Sequence, residues 1–77
     1  MKIKATINYD TKATHPDTHG VADKGLSYTD TYTIDPNYFY GREDIDDYIK
    51  NDLGLVAGGG YNTDHIENVN FTLEVLA

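Results

Sequence analysis

The sequence predicts a two-layer α+β domain of ββαβ order, in which a three-stranded antiparallel sheet (order 2-1-3) carries one amphipathic helix on one face. Three segments alternate apolar and polar residues, and one segment before the last of them repeats its apolar residues with helical spacing. Alternation with a period of two is typical of half-buried strands, whereas spacing by three and four residues is typical of an amphipathic helix. A chain of 77 residues is expected to form a single domain over residues 1–77.

The first strand is predicted over residues 2–9, where Ile3, Ala5 and Ile7 share one side and polar side chains share the other. The next segment, residues 10–25, has no period and contains proline, two glycines and two histidines. We interpret it as a long loop, and long loops in small domains are often functional or mobile. It is therefore one candidate region for binding.

The second strand is predicted over residues 26–34, where leucine, tyrosine and isoleucine alternate with serine and threonine. Asp30 interrupts the apolar side, and edge strands use inward-pointing charges of this kind to prevent edge-to-edge pairing. Asp35 and Pro36 then form a helix-start signal, with the aspartate as N-cap and the proline in the first position. Because Gly41 follows closely, only one turn is expected there.

The main helix is predicted to begin at Arg42 and to end before Gly54, which suits the left-handed position after a helix. Its apolar face consists of Ile45, Tyr48, Ile49 and Leu53. Residues 55–64 are interpreted as a glycine-rich loop, with the glycines at 58–60 as a flexible linker. Asp52 opposes the helix dipole from the last turn and has no local explanation.

The third strand is predicted over residues 66–76, where four apolar side chains alternate with polar ones. We place it antiparallel beside the first strand, because the helix carries the chain back across the sheet. One face of the sheet then meets the helix, and the other is rich in threonine and asparagine. That polar face is either solvated or a surface for self-association or strand addition, and a homodimer is one arrangement it allows.

The negative charge is concentrated around the helix. The total is −7, and residues 35–64 hold seven acidic and two basic side chains, a net charge of −5. Phosphate backbones are repelled by such a chain, so nucleic acid is not expected as a direct partner. The acidic helix is either a solvated face that favours solubility or a surface that docks a basic protein.

The docking interpretation predicts a small, non-enzymatic interaction protein that binds through acidic side chains and neighbouring tyrosines. The candidate partner-binding residues are Glu43, Asp44, Asp46, Asp47, Tyr38, Tyr40 and Tyr61. Tyrosine is enriched at binding hot spots. In being short, acidic and free of cysteine, the chain resembles accessory proteins of bacteriophages and other mobile elements, which implies an inhibitor that acts on a host protein by contact.

Two alternative functions remain at this stage, a small ligand- or metal-binding module using residues 10–25 and a self-associating structural subunit. His15 and His19 are weak metal candidates, because Pro16 places them on a loop where helical geometry does not bring them together. No metal or other cofactor is therefore expected. No nucleophile–base arrangement can be identified either, so no catalytic residue and no enzymatic activity are expected.

The sequence also bears on location. No segment approaches the roughly 18 consecutive apolar residues that a membrane-spanning helix needs. The first ten residues lack the apolar run of a secretory signal. We therefore expect a cytoplasmic protein with no membrane partner.

Overall fold

The computed structural model describes residues 1–60 and 62–76 and confirms the predicted fold class. The elements are β1 (Lys2–Thr11), β2 (Asp23–Thr33), a 3-10 turn (Pro36–Tyr38), α1 (Arg42–Ala57) and β3 (Ile66–Val75). The sheet has the order β2-β1-β3, and both neighbours of β1 are antiparallel to it. The molecule measures 42 × 20 × 16 Å, because a single helix covers a sheet of long strands.

The core lies between α1 and the central strand. Ile3 and Ile7 of β1 and Ile49 and Leu53 of α1 are fully buried and belong to one apolar cluster. Each such side chain contributes about 1.5–3 kcal/mol when removed from water. Tyr48 differs from the prediction: it is 51% exposed, and its ring packs on that of Phe39, with the centroids 5.5 Å apart.

The start of α1 follows the prediction, but its end does not. Asp35 accepts a hydrogen bond from the Asn37 N–H (3.0 Å) and caps the single 3-10 turn. The helix begins at Arg42 as predicted and then continues through Gly54 to Ala57. Gly54 is buried, and a Cβ there would lie 3.2 Å from Cγ2 of Thr63. Gly54 therefore allows close packing against Thr63 and does not end the helix.

The termination signal expected at Gly54 occurs five residues later. Gly58 caps the helix, and Gly59 has a left-handed φ of 89°. The Gly60 N–H donates to the Leu55 carbonyl (2.7 Å), and the Gly59 N–H donates to the Val56 carbonyl (3.2 Å). This pair of bonds defines a Schellman motif. The glycine-rich loop predicted at 55–64 therefore starts only after Ala57, and its first two glycines are packed instead of flexible.

The long loop is shorter than predicted, because both strands that flank it extend further. β1 continues to Thr11 and β2 begins at Asp23, which leaves residues 12–22 as the loop. The extension of β2 passes through a β-bulge, which breaks the strict alternation that a sequence pattern relies on, and the extension of β1 pairs with it. In β2 the bulge lies at Lys24 and Gly25, opposite Asp10, with Gly25 at φ 69°.

A second bulge lies at the same level in β3. Asn68 and Val69 stand opposite Tyr9, and Asn68 has a left-handed φ of 54°. The extra residue reverses the alternation, so the side chains before the bulge point to the face opposite the one that the later pattern predicts. Ile66 is therefore buried in the core, although strict alternation from Phe71 places it on the polar face.

The carboxylate of Asp10 joins the two bulges across β1. Its Oδ1 accepts a hydrogen bond from the Gly25 N–H (2.9 Å), and its Oδ2 accepts one from Nδ2 of Asn68 (2.9 Å). These two bonds hold the pKa of Asp10 below the ordinary value for aspartate. Asp10, predicted as the first residue of a loop, is thus a cross-link within the sheet.

The face of the sheet that points away from α1 is polar, as expected. Thr29, Thr6 and Thr72 lie side by side across the three strands, and the hydroxyls of Thr6 and Thr29 are 2.9 Å apart. Among the residues that the structure describes, no helix has the length and apolar content needed to span a membrane.

Candidate functional site

The acidic surface predicted for partner binding lies at the N-terminal end of α1. Glu43, Asp44 and Asp47 are exposed on the first turns of the helix. Glu43 and Asp44 also complement the positive end of the helix dipole. Together with Tyr38 and Tyr40, these three residues form what we call the acidic–aromatic surface.

The two tyrosines of this surface project into solvent. Tyr38 ends the 3-10 turn and is 84% exposed, and Tyr40 is fully exposed at 103%. Phe39 between them turns inward and packs against the core. The local sequence thus anchors the segment through one aromatic ring and presents the rings on either side of it.

The acidic residues do not act as one group. The Asp44 Oδ2 accepts a hydrogen bond from the Tyr40 N–H (3.1 Å), which fixes the approach of the chain to the helix. Asp46 points elsewhere: its Oδ1 accepts a hydrogen bond from the Arg42 Nε at 2.7 Å, one turn earlier. Asp46 is therefore paired with a cation on its own helix, and we do not count it in the acidic–aromatic surface.

A shallow depression of about 310 Å³ lies on this surface, lined by Tyr40, Gly41, Glu43, Asp44 and Asp47. Its wall is a tyrosine ring and its rim is carboxylate, which suits the aliphatic stem and charged head of lysine or arginine. The structure thus brings together five of the seven residues proposed for partner binding, whereas Asp46, the sixth, belongs to a separate ion pair. Tyr61, the seventh, lies outside the described residues.

Asp52, which had no explanation in the sequence, has a partner on β2. The Tyr32 hydroxyl donates a hydrogen bond to the Asp52 Oδ2 at 2.6 Å. Burial together with this bond raises the pKa of Tyr32. The pair ties the last turns of α1 to an edge strand, so Asp52 is a structural carboxylate and not part of the acidic–aromatic surface.

His15, a candidate metal ligand, instead closes the C-terminal end of α1. Its Nδ1 accepts a hydrogen bond from the Asp17 N–H (3.1 Å), so the proton lies on Nε2. Nε2 donates to the carbonyl of Ala57 (2.6 Å), the last residue of the helix. The ring is buried with only 6% exposed, and it satisfies a carbonyl that the helix itself leaves unpaired.

The other histidines do not join His15 in a metal site. His19 is exposed in the loop, and Nδ1 of His65 lies 2.9 Å from the Thr14 hydroxyl. The rings of His15 and His65 meet edge to face, with centroids 6.4 Å apart. Within residues 1–60 and 62–76, no group of three or more histidine, aspartate or glutamate side chains is placed to hold a metal ion.

A larger cavity of about 380 Å³ lies beside His15, between the 12–22 loop, the ends of β1 and β2, and the end of α1. Val21, Leu26 and Val56 give it an apolar part, and Tyr9 and Asp17 give it polar groups. Its volume falls in the range of sites for small molecules. The sequence pointed to this region through the length of the loop alone.

Comparison of the chain with protein-family models, with curated proteins and with solved structures finds no match.

Proposed function

We propose that this protein binds a basic protein surface through its acidic–aromatic surface. The observation that carries the proposal is a depression that the fully exposed Tyr40 shares with three carboxylates, with the exposed Tyr38 two residues before Tyr40. Tyrosine is usually at least partly buried, so full exposure of its ring is informative, and tyrosine is enriched at binding hot spots. A lysine or arginine of the partner would place its stem on Tyr40 and its charge between Glu43, Asp44 and Asp47.

The charge distribution supports this assignment. Residues 35–64 carry a net charge of −5, whereas residues 1–9 carry +2. An uneven distribution of this kind orients a basic partner toward one end of the molecule and accelerates its association at low salt. The partner should therefore bind faster at low than at high ionic strength.

A charge-reversal experiment tests the proposal. An oligolysine peptide serves as the basic probe, and its binding is mapped residue by residue from NMR amide shifts. Glu43, Asp44 and Asp47 are changed together to lysine, and circular dichroism checks that the fold is kept. We expect the wild type to show shifts centred on residues 38–47 and the variant to show none.

The matched control changes the same amount of charge elsewhere. Asp17, Asp64 and Glu67 are exposed and lie outside the acidic–aromatic surface, so their replacement by lysine gives the same net charge. The control should keep the localised shifts at 38–47. If both triple variants lose binding equally, attraction depends only on total charge and the assigned surface is wrong.

The most concrete form of this function is inhibition of a host protein by an accessory protein of a phage or mobile element, in the cytoplasm. Affinity purification from an extract of the source cell tests it, with the wild type, the charge-reversed variant and the control as baits. A partner that is held by the wild type and the control and lost by the charge-reversed variant supports this form. Equal recovery with all three baits contradicts it.

The cavity beside His15 favours a second candidate function, a small-ligand site. It combines an apolar wall at Val21 and Val56 with the polar groups of Tyr9 and Asp17. A ligand that binds only the folded state raises the melting temperature in proportion to its occupancy. A fragment screen by thermal shift, repeated with Val56→Trp to fill the cavity, should give stabilisation in the wild type alone.

A further inference from the structure

The two edges of the sheet differ in their free backbone hydrogen-bonding groups and in the charge of their side chains. The Leu76 N–H donates to the Lys2 carbonyl (2.8 Å), so even-numbered positions of β3 bond to β1. The backbone groups of Val69, Phe71, Leu73 and Val75 therefore point outward. Within the described residues, β3 pairs with β1 alone, which leaves this row open.

On the opposite edge, β2 is protected. The Ile34 N–H donates to the Met1 carbonyl (2.8 Å), so the odd-numbered positions of β2, from Ser27 to Thr33, point outward there. The Asp30 Oδ1 accepts a hydrogen bond from the Thr31 N–H (2.8 Å) and so occupies one of these outward donors. Asp30 also places a charge in the middle of the edge, and such charges oppose strand pairing.

The β3 edge lacks a protecting charge on its helix side. Val69, Phe71, Leu73 and Val75 all lie on that side and are only partly covered by α1; Val69 is 40% and Val75 44% exposed. The bulge at Asn68 and Val69 ends the regular pairing of β3 with β1 at Asn70, and the apolar strip from Val69 to Val75 is centred on Thr72. An open backbone row thus coincides with an incompletely buried apolar strip.

We propose that β3 pairs antiparallel with β3 of a second copy of this chain, about a two-fold axis at Thr72. This register places Val69 opposite Val75 and Phe71 opposite Leu73, so that apolar side chains meet apolar side chains on the helix side. On the polar side it places Asn70 opposite Glu74 and Thr72 opposite Thr72. No like charges meet, and the outward-pointing residues from Val69 to Val75 exchange backbone hydrogen bonds with those of the second copy.

An equivalent antiparallel pairing of β2 with β2 of a second copy is unfavourable. Pairing β2 about its equivalent centre places Asp30 opposite Asp30 of the second copy, and directly opposed like charges are destabilising. The β3 pairing yields a continuous six-stranded sheet with both helices on one face. The two apolar strips then lie side by side between the helices and complete each other's cover.

The experiment compares matched substitutions at the two edges. Thr72 of β3 and Thr29 of β2 are both exposed, and both lie opposite Thr6 in the sheet. Sedimentation of the full chain over a range of concentrations should show a wild-type dimer that strengthens with salt, because each copy carries −7. Thr72→Glu should weaken the dimer by about tenfold or more, and Thr29→Glu should leave it unchanged.

A cross-linking variant tests the register even if Thr72→Glu does not fold. The natural chain has no cysteine, so a single introduced thiol reports only on its own surroundings. Two residues that face each other across antiparallel strands have Cβ atoms close enough for a disulfide. Under mild oxidation Thr72→Cys should form a covalent dimer, and Thr29→Cys should stay monomeric.

Three results would overturn the proposal. A wild type that stays monomeric at every concentration and salt level shows that the edge does not pair. Dimers that survive Thr72→Glu but are lost with Thr29→Glu assign the contact to β2. Dimers with equal cross-linking of both cysteine variants show that self-association does not use this register.

Discussion

The two ends of α1 are built in contrasting ways. At the C-terminal end, a Schellman motif ends the helix, and the buried His15 and the packing of Gly59 on Pro16 join it to the loop before β2. At the N-terminal end, Gly41 caps the helix without a side-chain bond, and Tyr38 and Tyr40 are left in solvent. The contrast teaches that the C-terminal end is held by packing against a distant loop, whereas the N-terminal end leaves two large aromatic side chains without such packing.

The largest effect on the free energy of unfolding is expected from the glycines at the C-terminal end of α1. Gly59 and Gly60 both have left-handed backbones, with φ of 89° and 91°. A Cβ at Gly59 would lie 2.6 Å from Cγ of Pro16, whereas a Cβ at Gly60 meets nothing within 4 Å. Gly59→Ala should therefore destabilise the protein by about 3 kcal/mol and Gly60→Ala by about 1 kcal/mol, measured by urea unfolding. Equal losses would show that Pro16 does not pack against Gly59.

A smaller loss is expected from His15. His15→Ala leaves the Ala57 carbonyl without its buried donor, which should cost about 2 kcal/mol in the free energy of unfolding. His19→Ala is the control, because His19 is exposed in the same loop, and its effect should stay within about 0.5 kcal/mol. If the two variants unfold at the same urea concentration, the 12–22 loop does not hold the helix end.

The stability of the sheet should depend on pH through the carboxylate of Asp10. The pKa of Asp10 is lowered in the folded state, so its carboxylate stabilises the protein above about pH 4, and this contribution is lost as the pH falls further. Asp10→Asn should therefore reduce the loss of melting temperature between neutral and acidic pH. Asp64→Asn, at an exposed aspartate outside the sheet, should keep the wild-type pH dependence.

The smallest effect on stability is expected at the N-terminal end of α1. Tyr40 is fully exposed, so Tyr40→Ser should change the free energy of unfolding by no more than about 0.5 kcal/mol. The same variant should weaken binding of the oligolysine probe, because the apolar wall of the depression is removed. A large loss of stability would show that Tyr40 contributes to folding and would remove the contrast between the two ends.

Local patterns in the sequence were sufficient for the regular parts of the fold. Alternation identified all three strands, and the Asp35–Pro36 signal and the helical spacing from Arg42 identified the turn and the start of α1. The strand order was predicted from the helical connection that carries the chain back across the sheet to the third strand, and the structure has that order. These features depend on residues close together in the chain, where period and propensity act directly.

The features that were missed depend on contacts between distant residues. Gly54 has the chemistry of a helix terminator, but its role is set by Thr63 packing against it. Asp52 gains its partner from Tyr32, and Asp10 joins two bulges that its own neighbours do not reveal. For the candidate site, the sequence identified the acidic residues but not which of them share a surface, because the pairing of Asp46 with Arg42 depends on side-chain geometry.

The position of β1 in the middle of the sheet has a consequence for how the chain folds. Its pairing with β3 brings Ile3 opposite Val75, and such distant pairs form slowly because a long stretch of chain must first be closed into a loop. A two-stranded hairpin of β1 and β2 is only marginally stable alone. During synthesis the hairpin is therefore stabilised only after β3 has been made. Until then its apolar side stays exposed to chaperones and to aggregation.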